Sequence, residues 1–96
     1  MSIFAVEYVY AADSVAGRDE HRPAHRAWLG EFAEAGRLIA SGPYVDGSGA
    51  LLLFTAESEQ ALLQELAQDP FNTQGFIAGL RVTEWSPVTG MLNQYA

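Results

Sequence analysis

The sequence contains no cysteine and no lysine. Without thiols there is no disulfide framework, no thiolate nucleophile and no cysteine-ligated metal site. Five arginines against twelve acidic residues give a formal charge of −7, and such a surface repels phosphate backbones and anionic lipid heads. Nucleic acid is therefore not an expected partner. No apolar run approaches the ~20 residues that span a bilayer, and Met1-Ser2-Ile3-Phe4 carries no basic leader region, so no membrane association and a cytoplasmic location are expected. What is present is a chain of 96 residues, 49% of them hydrophobic. That is enough for one small packed domain over residues 1–96, with little surplus, so association with a second copy is a natural source of further stability.

Ile3 to Tyr10 alternates as a first strand, with Phe4, Val6, Tyr8 and Tyr10 on one face and Ile3, Ala5, Glu7 and Val9 on the other. Asp13 to Gly17 reads as a loop. Pro23 suits the first turn of a helix that runs to Ala35 and stops at Gly36, with Arg18 to Arg22 either outside it or forming a preceding helical turn, and His25, Trp28, Leu29 and Phe32 share its inward stripe. A short strand, Arg37 to Ser41, is closed by Gly42-Pro43, and Tyr44 to Gly49 forms a turn. The run Ala50 to Phe54 is apolar without alternation, as in a strand covered on both faces. Ser58 caps a second helix through Ala67 that buries Leu62, Leu63 and Leu66. Asp69 to Gly75 is a turn or a single helical turn, Ile77 to Trp85 is the last strand, and residues 86–96 are a tail.

The order β-α-β-β-α-β predicts an α+β, ferredoxin-like fold: an antiparallel sheet with two helices on one face. The two-sided apolar character of the third strand then requires a cover for the opposite face. Two sheets packed against each other in a homodimer supply it, and a hydrophobic ligand is the smaller alternative.

Among residues that carry chemistry, His25 leads, because imidazole titrates near neutrality and this one opens an inward stripe. Its bland alternative is a satisfied core histidine. Asp69, at the end of the second helix, can meet it where two helices lie side by side. A carboxylate on one ring nitrogen fixes the tautomer and leaves the other nitrogen as acid or base. As a residue before proline, Asp69 is otherwise a turn-former accepting backbone N–H bonds. Arg22, three residues before His25, can hold an anionic substrate group or form a surface ion pair. Ser41 and Tyr44 flank the Gly42-Pro43 break and offer hydroxyls to a pocket at the strand end. His21 and His25 have the i, i+4 spacing of a metal-gripping helix, but Pro23 intervenes and no third histidine or cysteine exists, so no metal site is expected. Gly47-Ser48-Gly49 leads into a strand rather than a helix, which removes the phosphate-loop reading, and no cofactor is expected.

Arg22-Pro23-Ala24-His25, Gly36-Arg37-Leu38, Ser41-Gly42-Pro43 and Asp69-Pro70-Phe71 followed by Gly75 resemble, in order and spacing, the motifs of the YciI (YCII-related) family. The resemblance implies a dimeric ferredoxin-like fold, related to the dimeric α/β-barrel group, with a His–Asp active site at His25 and Asp69. At least one member of that family is a dehydrochlorinase of a hydroxylated chloroaromatic, and most members have no assigned reaction. The leading expectation is a small cofactor-independent enzyme in which the pair moves a proton on a small organic substrate, in an elimination or isomerisation. The other is a non-catalytic dimer that binds or senses a small molecule.

Overall fold

The computed structural model describes all 96 residues. Alternation in the first ten residues becomes β1 (Ser2–Tyr10), with Phe4, Val6 and Tyr8 buried against the helices. β2 (Leu38–Pro43), β3 (Gly49–Ala56) and β4 (Ile77–Glu84) complete an antiparallel sheet in the order β2-β3-β1-β4. The register sets Phe4 opposite Phe54, Val6 opposite Leu52 and Tyr8 opposite Ala50, so these inward side chains form cross-strand pairs. The helices α1 (Val15–Glu34), α2 (Glu59–Leu66) and the single turn α3 (Pro70–Thr73) complete the ferredoxin-like order. The tail holds one 3-10 turn, Asn93–Tyr95.

Two expectations change. The first helix begins at Val15 rather than near Pro23, and the preceding loop shrinks to a few residues around Asp13, whose φ is +60°. Ser14 permits the early start, because its carbonyl accepts the Arg18 N–H at 2.8 Å and its hydroxyl accepts Arg18 Nε at 2.9 Å. Pro23 therefore sits inside the helix, and the one backbone donor it lacks faces the solvent side, where water can satisfy the orphaned carbonyl. The second change is Leu63, which is 38% exposed while Leu62 and Leu66 are fully buried. Helical spacing carries Leu63 about 100° from Leu62, and an eight-residue helix on this sheet has a narrow buried face.

Two helix ends are well defined by their caps. α1 stops where Arg37 N donates to Phe32 O at 2.9 Å and Gly36 N to Ala33 O at 3.1 Å, with Gly36 at φ +75°. This is the Schellman arrangement, in which glycine takes the left-handed position without a Cβ penalty. α2 starts with Ser58 Oγ accepting the Ala61 N–H at 3.1 Å. Arg37, just past α1, donates to both Glu65 carboxylate oxygens and to the Thr55 carbonyl, tying α2 to β3.

The core lies between the sheet and the helices, around Val6, Tyr8, Leu52, Phe54, Leu62 and Leu66. Trp28, Leu29 and Phe32 reach it from α1, and the Trp28 and Phe32 rings both meet the Phe54 ring edge-on. Even so, no residue of α1 is fully buried. Toward the β2–β3 turn the inward positions are small, with Ser41 opposite Leu52 and Pro43 opposite Ala50, so the helix cannot close on the sheet there. That gap is the cavity described next.

Candidate functional site

Asp69 is the fixed point of the site. It is fully buried, and its backbone caps α3 by accepting the Asn72 and Thr73 N–H groups at 2.8 and 2.9 Å. Pro70 supplies the first helical position, where its fixed φ suits the turn and its missing donor costs nothing. The carboxylate is then held from three sides. Oδ1 accepts the Phe71 N–H at 3.0 Å and lies 2.7 Å from His25 Nδ1, while Oδ2 accepts the Tyr8 hydroxyl at 2.7 Å. Asn72 Nδ2 completes the network, donating to Tyr8 Oη at 3.2 Å and to the Leu66 carbonyl at 2.8 Å. Three donors offset much of the cost of burying this carboxylate.

Burial first, and then the adjacent Asp69 charge, push the Tyr8 phenol far above its ordinary range. Tyr8 is thus a permanent neutral donor to Asp69.

His25 stacks face to face on Phe71, with centroids 3.9 Å apart and planes within 5°. Stacking and the Asp69 contact together fix the ring. With Asp69 as acceptor, Nδ1 carries the proton in neutral imidazole and Nε2 keeps its lone pair. Nε2 has no protein partner, and no buried side-chain nitrogen or oxygen lacks one, so Nε2 is in contact with open space. His25 lines a cavity of about 330 Å³, with Tyr8, Ala50 and Leu52 as floor and α1, β2 and Phe71 as walls. Its size is at the small end of ligand pockets.

Of the other sequence candidates, Arg22 and Ser41 line this cavity beside His25. Tyr44 does not. It lies with Leu51 and Leu53 in a shallow groove on the outer face of the sheet, because the chain passes the edge at Pro43 before turning. His21 packs at 5.5 Å against the Phe76 ring, and no three His, Asp or Glu side chains converge.

Sequence reasoning missed Tyr8 as the second holder of Asp69, and Arg18 and Arg26 as cavity residues. The signal for Tyr8 was a hydroxyl within an otherwise apolar inward row, which needs a buried partner. The arginines fall at 18, 22 and 26, one helical row, which a helix start near Pro23 conceals.

The YCII-related domain matches residues 3–86. Among solved structures, the fold is similar to 5-chloro-2-hydroxyhydroquinone dehydrochlorinase (TftG) from Burkholderia phenoliruptrix AC1100, in complex with 2,5-dihydroxybenzoquinone. The TM-score is 0.79 and the identity 24%, over 88% of this chain and 93% of that one. It is also similar to Rv0793 from Mycobacterium tuberculosis, with TM-score 0.56 and 16% identity over 93% and 96% of the two chains. A third similar structure is At3g17210 from Arabidopsis thaliana, with TM-score 0.51 and 17% identity over 96% and 100%. No curated protein sequence matches. With nearly the whole folded part of the chain covered by one family, and the sheet order and helix placement in accord, the chain belongs to the YCII-related domain family.

Proposed function

We infer that this protein is a small-molecule enzyme in which His25 acts as general base, oriented by Asp69. The observation that carries this reading is the division of labour between the two ring nitrogens: Nδ1 faces the buried carboxylate at 2.7 Å, and Nε2 is free at the cavity. A histidine held only for structure has no need of an open nitrogen beside a cavity. In the reaction, Nε2 takes a proton from a substrate C–H, and the electron pair of that bond forms a new C=C bond. Either a leaving group departs with its bonding pair, an elimination, or the π pair of an adjacent C=C bond is displaced and takes the proton back from the imidazolium at its far carbon, an isomerisation. Asp69 stabilises the imidazolium formed in between. Elimination is the class of the dehydrochlorinase with a similar fold.

The working unit of this reading is a homodimer in the cytoplasm, joined through the outer sheet face. Leu51 and Trp85 on that face are 37% and 41% exposed, beside Ala5, Leu53 and Thr83. Such a row gains from a partner.

Proton exchange is the direct test. Single-ring hydroxylated and halogenated compounds are incubated with the protein in deuterated water and followed by NMR. Deuterium uptake or halide release that is lost in His25→Ala is the expected result. Turnover that persists at full rate in His25→Ala would overturn the assignment.

A further inference from the structure

Three of the five arginines, Arg18, Arg22 and Arg26, line the His25 cavity, and none of its lining residues is acidic. This is the reverse of what the composition alone would give, since twelve carboxylates share the rest of the chain with only two arginines, Arg37 and Arg81. Arg18 and Arg26 take part in no salt bridge, and Arg22 touches only Asp19, on the exposed side, at 2.5 Å. Two of the three are also held in place. Arg18 donates to Ser14 Oγ at 2.9 Å and its guanidinium lies 3.8 Å from the centroid of the Tyr10 ring, which leaves further N–H groups free to bind. Arg22 is steadied by Asp19 in the same way.

We propose that the cavity binds a single-ring organic oxyanion, a carboxylate or an acidic phenolate, seated on Arg18 and Arg22 with its ring reaching toward His25. The proposal rests on the general-base reading for what happens next, but not for the binding itself. Helix geometry sets the scale. Arg22 and Arg18 precede His25 by about 4.5 and 10.5 Å along the axis at about 1.5 Å per residue, and the arginine side chains reach across much of this. One ring therefore bridges anion and base. The apolar floor, Ala50 and Leu52, suits the face of that ring. The chain's overall net charge of −7 repels larger polyanions, so selection favours one compact charge.

The test is equilibrium binding by NMR or calorimetry with two matched pairs, benzoate against benzamide and 4-nitrophenolate against its methyl ether. At least one anion should bind more tightly than its neutral counterpart, and which one does so identifies the oxyanion. Added salt should weaken that anion and leave the neutral compound unchanged. In Arg18→Gln/Arg22→Gln the preferred anion should weaken by roughly tenfold or more, as loss of charge-assisted forks requires. Arg26→Gln removes an exposed guanidinium outside the core, so it keeps the fold, and it should weaken the same anion by a smaller factor. His25→Gln should retain the preference, which separates this proposal from the catalytic one. Equal binding of anion and neutral compound, no binding of either anion, or an anion preference lost in His25→Gln but kept in the arginine variants would overturn it.

Discussion

Tyr8 and Asp69, 61 residues apart in sequence, are joined by a 2.7 Å hydrogen bond in the middle of the core. The bond links the central strand to the cap of α3 and so sets where the Asp69 carboxylate presents its other oxygen. His25 meets that other oxygen at 2.7 Å. The strand thereby positions the imidazole through one carboxylate, without touching it.

Removing that link should be costly in a specific way. Tyr8→Phe leaves a buried carboxylate oxygen and Asn72 each short of a partner, and should destabilise the fold by about 1–3 kcal/mol in chemical denaturation. The pH dependence follows from the raised phenol. Its native form binds the proton more tightly than the unfolded chain, where tyrosine ionises near 10. Stability from this group is complete below that pH and is lost as the pH rises above it. Spectrophotometric titration should therefore show Tyr8 ionising only together with unfolding, and Tyr8→Phe should flatten the alkaline limb of the stability curve.

Gly49 is required by a close approach rather than by its dihedral angles. A Cβ there would lie 1.8 Å from the Tyr8 carbonyl oxygen, and a backbone atom in a central strand cannot give way. Gly49→Ala should cost at least about 1–3 kcal/mol, as overpacking does. It should also disturb the NMR signals of the Asp69 network, because β1 carries Tyr8. Gly79→Ala is the control, since its Cβ would meet only the Val9 side chain at 3.3 Å. A similar loss in both variants would mean that the β1–β3 approach is not the limiting contact.

Much of this fold was legible because its signals are local. Gly36 and Pro70 mark helix ends by their backbone chemistry and Ser58 by its side-chain cap, and the two-sided run Ala50 to Phe54 marks a central strand. The start of the first helix is not legible in this way, since Pro23 is compatible with a first turn and equally with a solvent-facing interior position. Local pattern does not separate the two. For the site, side-by-side helices bring Asp69 toward His25, but the contact is made where α1 packs on α3 rather than on the second helix, and Tyr8 joins through a long-range strand contact that no spacing encodes. The side to which Tyr44 falls depends on how the chain leaves Pro43, and that is set by the turn through Gly49.

The outer sheet face predicts a dimer. Leu51 and Trp85 are exposed there, while Glu7 and Arg81 are cross-strand partners at its centre. Sedimentation at micromolar concentration should give twice the chain mass, and Leu51→Asp should shift the equilibrium to monomer without loss of secondary structure. A wild-type protein that stays monomeric and folded would leave this face to another cover.

The last expectation concerns His25 and Asp69 as a unit. In Asp69→Asn one side of the amide becomes a donor, and the Phe71 N–H, which shares Oδ1 with His25, holds the amide oxygen on that side. The NH₂ then faces the Tyr8 hydroxyl, and the imidazole keeps its tautomer but loses the carboxylate charge that stabilises its protonated form. Ring ¹⁵N shifts should show the tautomer unchanged. With a turnover substrate, Asp69→Asn and His25→Ala should each lower kcat on the order of 10²–10⁴-fold, the usual contribution of a positioned general base. The double variant should be little worse than His25→Ala, because an orienting carboxylate has nothing left to orient. Additive losses would mean that the two residues act separately. Unfolding traces decide the remaining alternative: if both single variants lost about 3–5 kcal/mol, as breaking a buried charged contact does, and kept their rate, the pair would serve the fold rather than the reaction.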